Sequence, residues 1–216
     1  MGAIARAAAN NITTAGVFTS NAIINSSVTG ITVLANASDG ITLISSQTAS
    51  ASASISFTTG IDSTYKAYKF VFSNIHPASN DEHFSINFST DGGSNYNATK
   101  TTTYFRARHT ENDVTADLAY TGGFDQAQST GEMFLADSML NDNDASVCGT
   151  LILFNPSSTT YVKHILGDVE SYSHAGLTIR SFSAGYVNTT SAVNAVRFKM
   201  SAGNIDDGTI YMYGIK

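Results

Sequence analysis

The feature that most constrains this chain is a succession of short segments in which apolar and polar residues alternate. Tyr65–Phe72 places Tyr68, Phe70 and Phe72 on one side of an extended strand, because strand side chains point to opposite faces in turn. Further segments of this kind are Ser54–Thr58, Glu82–Ser89, Thr103–Arg108, Gly149–Phe154, Tyr161–Leu166 and Leu177–Phe182. Turn residues separate these segments, and no long stretch shows the apolar period of a helix. The pattern predicts an all-β domain, an antiparallel β-sandwich of jelly-roll type.

The segment Val193–Lys216 predicts a terminal β-hairpin that closes the core of this sandwich. The apolar face of its first strand consists of Val196, Phe198 and Met200. The loop Ala202–Gly208 contains residues that tolerate turn conformations. Thr209–Tyr213 returns with the β-branched and aromatic residues that suit a strand.

A second hairpin is predicted where the turn Asp91–Gly93 separates Glu82–Ser89 from Thr103–Arg108. Leu151–Phe154 is apolar on both faces and is interpreted as a central strand. Between Glu111 and Asp144 the pattern is weakest, and Gly131–Leu135 is compatible with a strand or with a helical turn.

Residues 1–47 differ from the rest and are interpreted as a segment for attachment and trimerisation, followed by the sandwich domain at 48–216. Ala3–Ala9 has the alanine content of a short helix. Thr29–Leu34 and Asp39–Ile44 each read as a turn followed by a short strand. Three chains wound together would cover the apolar faces of such strands, and a flexible polar linker is the alternative. The candidate attachment and oligomer contacts are Ile4, Ile12, Val17, Phe18, Ile31 and Ile41.

The low charge of the chain excludes some functions and favours others. Charged residues make up 13% and the formal net charge is −6, so no basic stripe is available to bind nucleic acid. A surface poor in charge is typical of proteins whose surface meets other subunits. Cys148 is the only cysteine, which precludes an intrachain disulfide, and no apolar run is long enough for a membrane span. Arg6 interrupts the short apolar start, so a signal peptide is not expected.

Residues that could carry chemistry do not form a catalytic motif. No metal-ligand spacing such as H-E-x-x-H and no G-x-S-x-G serine motif occurs. The five histidines are His76, His83, His109, His164 and His174. We therefore expect a protein that is not an enzyme and that has no cofactor. Asp137 and Asn141–Asp144 offer oxygen ligands without the order of an EF-hand loop, so a solvated turn is expected there and calcium is the alternative.

The turn Ser89–Tyr96 resembles the Asp-box turn of sialidases, S-x-D-x-G-x-T-W, with Asn95 and Tyr96 in place of the Thr and Trp. In those proteins the box stabilises a hairpin and the catalytic groups lie elsewhere. A single copy cannot form a propeller, so Asp91 is expected to accept hydrogen bonds from turn amides and to make this turn rigid.

Together, the turn Ser89–Tyr96 and the ending Asn194–Lys216 resemble virion proteins of tailed bacteriophages. In that group a jelly-roll-like domain often ends in a strand–turn–strand that finishes Gly-(Thr/Ser)-aliphatic-x-(Leu/Met)-Tyr-Gly-(Ile/Leu)-Lys, and here the chain finishes Gly208-Thr-Ile-Tyr-Met-Tyr-Gly-Ile-Lys216. The likeness covers about the C-terminal three quarters of the chain.

This resemblance implies a minor structural protein of the virion, assembled in the host cytoplasm: a tail fibre, a head fibre or a capsid decoration protein. Such proteins are commonly homotrimers that bind other virion proteins, either the major capsid protein or tail and portal proteins. It implies no catalytic residue. The rival interpretation is a carbohydrate-binding module that recognises a host surface glycan through exposed tyrosines. Depolymerase activity is the weaker form of this rival, because paired carboxylates across a groove are not evident.

Overall fold

All regular structure in the described part of the chain, residues 40–173 and 176–216, is β-strand in the computed structural model. No helix that could span a membrane occurs among these residues. The strands are β1 (Ile41–Thr48), β2 (Ile55–Phe57), β3 (Ala67–Pro77), β4 (Glu82–Ser89), β5 (Lys100–Thr110), β6 (Ala116–Tyr120), β7 (Gln126–Ser129), β8 (Met133–Met139), β9 (Val147–Phe154), β10 (Lys163–Ser173), β11 (Leu177–Val187), β12 (Ala195–Met200) and β13 (Ile205–Ile215). The predicted helix at Ala3–Ala9 and the first predicted neck strand, Thr29–Leu34, lie outside the described residues.

Eight of these strands pair in nested antiparallel fashion. β1 pairs with β13 and β2 pairs with β12. Inside them, β3 pairs with β9 and β4 pairs with β8. The result is two four-stranded sheets with the orders β1-β13-β3-β9 and β2-β12-β4-β8. A long hairpin rolled up on itself gives this arrangement, which is the jelly roll. The predicted all-β antiparallel sandwich is confirmed.

The other five strands extend only one of the two sheets. β10 and β11 form a hairpin, and β10 pairs with β9. β5 adds to β11, and β6 and β7 both pair with β5. We call the extended sheet, β1-β13-β3-β9-β10-β11-β5 with β6 and β7 at its edge, the long sheet, and β2-β12-β4-β8 the short sheet. One pair, Ser173 opposite Met139, joins β10 to β8 at the corner between the sheets.

The core lies between the two sheets and is rich in phenylalanine. Phe198 on β12 lies at its centre, with its ring centroid 5.3 Å from those of both Phe70 and Phe72 and 5.8 Å from that of Phe84. All four rings are almost completely buried. Val196 and Met200 are also buried, as the alternation of the terminal segment predicts. The inward face of β12 therefore holds the two sheets together.

Both predicted hairpins are wrong in their pairing, although the strands themselves exist. β12 pairs with β2 and β4, whereas β13 pairs with β1 and β3, so the loop between them crosses from the short sheet to the long sheet. Similarly, β4 belongs to the short sheet and β5 to the long one. A strand buried on one face shows the same alternation whether its neighbour in sequence lies beside it or across the core.

The first strand begins earlier than the predicted domain boundary. Ile41–Thr48 is β1, which pairs with β13 from Ile41 opposite Ile215 to Thr48 opposite Thr209. The last residues of the segment assigned to attachment thus belong to the long sheet, in which β1 is the edge strand beside β13. Gly131–Leu135, whose pattern is compatible with a strand or with a helical turn, leads into strand β8, which begins at Met133.

Candidate binding surface

The predicted attachment contacts fall mainly outside the described residues. Ile4, Ile12, Val17, Phe18 and Ile31 all precede residue 40, so their role stays a prediction. Ile41 opens β1 opposite Ile215, and 55% of its surface is exposed.

His83 is the histidine most enclosed by aromatic rings. Its ring centroid lies 4.8 Å from that of Phe124 and 5.1 Å from that of Phe134. Its Nδ1 accepts a hydrogen bond of 3.1 Å from the backbone N–H of Ser138. Burial lowers the pKa of His83, which favours the neutral ring. The two aromatic contacts and the hydrogen bond from Ser138 are typical of a packed side chain.

The turn at Asp91 has the hydrogen bonding that the Asp-box resemblance implies. The Asp91 carboxylate accepts hydrogen bonds from Ser89 Oγ at 2.7 Å and from the backbone N–H of Asn95 at 2.9 Å. Asn95 Nδ2 donates to the second carboxylate oxygen at 2.7 Å. These bonds lower the pKa of Asp91 to about 2. The ring of Tyr96 lies 4.6 Å from the guanidinium of Arg197, so the turn is anchored to β12.

Asp137 and Asp144, two of the possible calcium ligands in the sequence, lie in different surroundings. Asp137 is buried on β8, where it pairs with Arg106 and lies 3.4 Å from His83 Nδ1. Asp144 lines an open cleft of about 500 Å³ together with Asp206 and Asp207. No cluster of three or more His, Cys, Asp or Glu residues arranged to hold a metal ion occurs in the described ranges.

Lys100 is a fully buried cation at the start of β5. Its ammonium donates hydrogen bonds to Asn87 Oδ1 at 2.9 Å and to the backbone carbonyl of Ala98 at 3.2 Å. Burial lowers the pKa of Lys100 to about 8, and the nearby Glu132 carboxylate opposes this effect only in part. Burial therefore destabilises the charged ammonium of Lys100 relative to the neutral amine.

The stability of the domain is expected to rise with pH between about 8 and 10.5 because of Lys100. In this window the unfolded chain keeps the proton that the folded chain has lost, so deprotonation favours folding. A pKa change from 10.5 to about 8 corresponds to about 3 kcal/mol. Urea titrations at several pH values should show a steeper rise in the wild type than in Lys100→Met, in which the buried Lys163, whose pKa burial also lowers, still contributes. Lys199→Met is the control and should keep the rise, whereas equal slopes in wild type and Lys100→Met would contradict the assignment.

The exposed apolar side chains are concentrated on the outer face of the long sheet, the face turned away from the short sheet. Directly opposed residues of paired strands lie on the same side of a sheet, so the pairing defines this face. One row across it is Leu43, Tyr213, Lys69, Ile152, Leu166, Ala184 and Thr103. The next row is Tyr211, Val71, Thr150, Asp168, Phe182, Phe105 and Tyr120.

Nine large hydrophobic side chains are exposed in the described residues, and only two of them, Val114 and Tyr161, lie in loops. The other seven are all on the outer face: Ile41, Leu43, Phe105, Leu118, Tyr120, Phe154 and Leu166. Scattered exposed apolar residues are normal on a protein surface, but a contiguous apolar patch marks an interaction site. The outer face is therefore the candidate binding surface.

Two shallow grooves lie side by side on this face. The first, of about 430 Å³, is lined by Phe105, Ile152, Leu166 and Phe182 among others. The second, of about 390 Å³, is lined by Phe154, Leu166 and Tyr186 among others. Leu166 borders both and is 52% exposed, so it forms the ridge between them. The face thus presents a projecting apolar side chain flanked by two apolar recesses.

Two charged side chains at the middle of the outer face, Asp168 and Arg180, are paired with each other. Arg180 donates two hydrogen bonds to the Asp168 carboxylate, at 2.9 and 2.7 Å. This contact lowers the pKa of Asp168 and raises that of Arg180. The guanidinium also lies 4.7 Å from the centre of the Phe182 ring, and that ring stacks on Phe105 at 4.8 Å. The aromatic surface of Phe182 is thus already in contact with neighbours in the same chain.

Comparisons of the chain with protein-family models, with curated proteins and with solved structures find no match.

The sequence contains a signal for the outer face in the apolar residues Ile152 and Phe154, but the same residues also fit a strand buried on both faces. Ile152 and Phe154 made Leu151–Phe154 apolar on both sides, which predicted a central strand. β9 is indeed an inner strand of the long sheet, between β3 and β10. Its outward residues, however, lie on a face that no described element covers. Pairing of β5 with β11, which brings Phe105 beside Phe182, could not be read from local pattern.

Proposed function

We propose that this protein is a non-enzymatic structural protein of a tailed-phage virion, either a capsid decoration protein or a head or tail fibre. In this proposal the residues before β1 attach the protein to the particle, and the β-sandwich is displayed outward. The protein assembles into virions in the host cytoplasm as a homotrimer. Its partners are the major capsid protein in the decoration form, and tail or portal proteins in the fibre form.

The observation that carries the proposal is the position of the segment that resembles virion proteins. Asn194–Lys216 supplies β12 to the short sheet and β13 to the long sheet, so the likeness involves both layers of the jelly roll. A domain that shared this segment would share the strands on which both sheets depend. The low charge of the chain, 13% of residues, further supports a protein whose surface meets other subunits.

The test is to locate and count the protein in purified particles. A copy number near that of the major capsid protein would support decoration, and one near that of the portal or tail proteins would support a fibre. Absence from particles that are otherwise complete would contradict the virion assignment.

Removal of residues 1–39, which keeps β1, is expected to abolish binding to particles while the β-domain stays folded. Phe18→Asp should weaken particle binding, and Thr19→Asp is the matched control at the neighbouring position. Binding can be measured by co-sedimentation of purified protein with particles that lack it. Normal decoration by the chain without residues 1–39 would show that attachment lies elsewhere.

The second candidate is a carbohydrate-binding module of a tail fibre that recognises a host surface glycan. The exposed aromatic side chains favour it, since Tyr120 and Tyr161 are 60% and 69% exposed and rings of this kind stack on sugars. A glycan array together with a depolymerase assay on host envelope material decides this point. No binding on the array and no cleavage would remove this candidate and leave the structural role.

A further inference from the structure

We propose that the outer face of the long sheet binds a second copy of this chain. The proposal goes beyond the virion role and does not depend on it. It also concerns a different surface from residues 1–39, where the attachment and trimer contacts are predicted. Four features of the outer face argue for this occupant.

The first feature is the chemical nature of the exposed residues. Leu43, Ile152 and Leu166 place aliphatic side chains in one row of the face. Aliphatic side chains bury well against another protein, whereas a sugar ring stacks on the open face of an aromatic ring. The Phe182 ring already contacts Phe105 and Arg180, so it is poorly placed to take a sugar. The face is therefore better suited to a protein than to a glycan.

The second feature is charge. In β3, β9, β10, β11, β5 and β6 the charged side chains of the outer face are Lys69, Asp168, Glu170 and Arg180. They sum to zero, whereas the chain as a whole carries a formal charge of −6 and β13 adds the exposed acidic residues Asp206 and Asp207 at one end of the face. Two copies would repel each other through acidic surfaces, and the neutral region formed by these six strands is where they can approach without this cost. This region has no net charge that would attract a strongly charged partner.

The third feature is shape. The ridge at Leu166 and the grooves on either side of it lie on the same face. An interface between two copies related by a two-fold axis must be complementary to itself, so projections and recesses must occur together on one surface. A ridge flanked by two recesses meets this requirement, since each copy can seat its Leu166 in a groove of the other.

The fourth feature is extent. The face runs from Leu43 on β1 to Tyr120 on β6, across the width of the long sheet. Sheets that pack face to face bury alternate side chains of each strand, as the two sheets of this sandwich already do. A second copy supplies a sheet of matching width and twist, and the resulting contact would repeat the internal architecture of the domain.

The experiment uses the full chain and combines mass measurement with hydroxyl-radical footprinting. Light scattering across a concentration series gives the number of copies, and footprinting compares side-chain reactivity in dilute and concentrated samples. Leu166, Phe105 and Tyr120 are expected to lose reactivity as copies associate. Val114 and Tyr161, exposed in loops, should remain reactive and act as references within the same molecule.

Leu166→Asp is expected to raise the dissociation constant of this contact about tenfold or more, because it places a charge at the centre of the face. Val114→Asp introduces the same charge at a loop position and should leave association unchanged. Circular dichroism of both variants verifies that they fold.

Three results would overturn the proposal. One is a monomer at all concentrations with a reactive outer face. Another is an oligomer whose Leu166 and Phe105 stay reactive, since its contacts would then lie elsewhere, as in the predicted trimer segment. The third is a monomer with a protected outer face, which would assign residues 1–39 as the occupant.

Discussion

Removal of Thr209–Lys216 is expected to abolish folding of the β-domain. β13 pairs with β1 on one side and with β3 on the other, so its loss exposes backbone donors and acceptors of both neighbours. Ile210 and Met212 are completely buried, and burial of each such side chain contributes about 1.5–3 kcal/mol. With two strand ladders lost as well, the deficit exceeds the net stability of about 5–15 kcal/mol that is typical of a domain.

Circular dichroism and a thermal melt of the shortened chain measure this effect. The matched control keeps the backbone of β13 and changes only its outward side chains, with Tyr211→Thr and Tyr213→Thr. That variant is expected to fold, because the inward residues and both ladders remain. A soluble shortened chain with a cooperative melt would show that β13 is dispensable for the fold.

The substitution Phe198→Ala is expected to destabilise the domain by about 3–5 kcal/mol. The ring of Phe198 contacts Phe57, Phe70, Phe72 and Phe84, with centroid distances from 5.3 to 6.3 Å. Its removal would leave a cavity between the two sheets, bounded by rings that the strands hold in place. Dispersion contacts would be lost together with the burial of the side chain.

Urea denaturation with a fitted slope gives the change in the free energy of unfolding. Lys199→Ala, on the opposite face of β12, is the control and should change stability by no more than about 0.5 kcal/mol. A loss below about 1 kcal/mol for Phe198→Ala would indicate that the aromatic cluster can close around the missing ring.

Alternation in the sequence predicted which side of a strand is buried, and the structure explains why it could not predict more. Phe198 was assigned to the core face, and it lies there. The partner of β12 was assigned wrongly, since period two encodes in and out but contains no information about the neighbouring strand. Pairing in a jelly roll links residues far apart in sequence, such as Thr48 and Thr209.

The candidate binding surface was less predictable than the fold for the same reason. Phe105 and Phe182 each occur in a strand with an unremarkable pattern, and only the pairing of β5 with β11 brings their rings together. The predicted attachment residues, by contrast, were derived from a local pattern in residues 1–47. They remain a prediction that particle binding can test.

The nested pairing also has a consequence for how the chain reaches its native state. The hydroxyls of Thr48 and Thr209 share a hydrogen bond of 2.9 Å across a sequence separation of 161 residues. A topology dominated by such distant contacts has a high relative contact order and folds in milliseconds to seconds. During translation β1 leaves the ribosome long before β13 is made, so the long sheet cannot be completed until synthesis has passed β13, and the short sheet must wait for β12. Until then the unpaired edge of β1 and the apolar outer face are both exposed, which makes the nascent chain a substrate for chaperones and for premature association with its own copies.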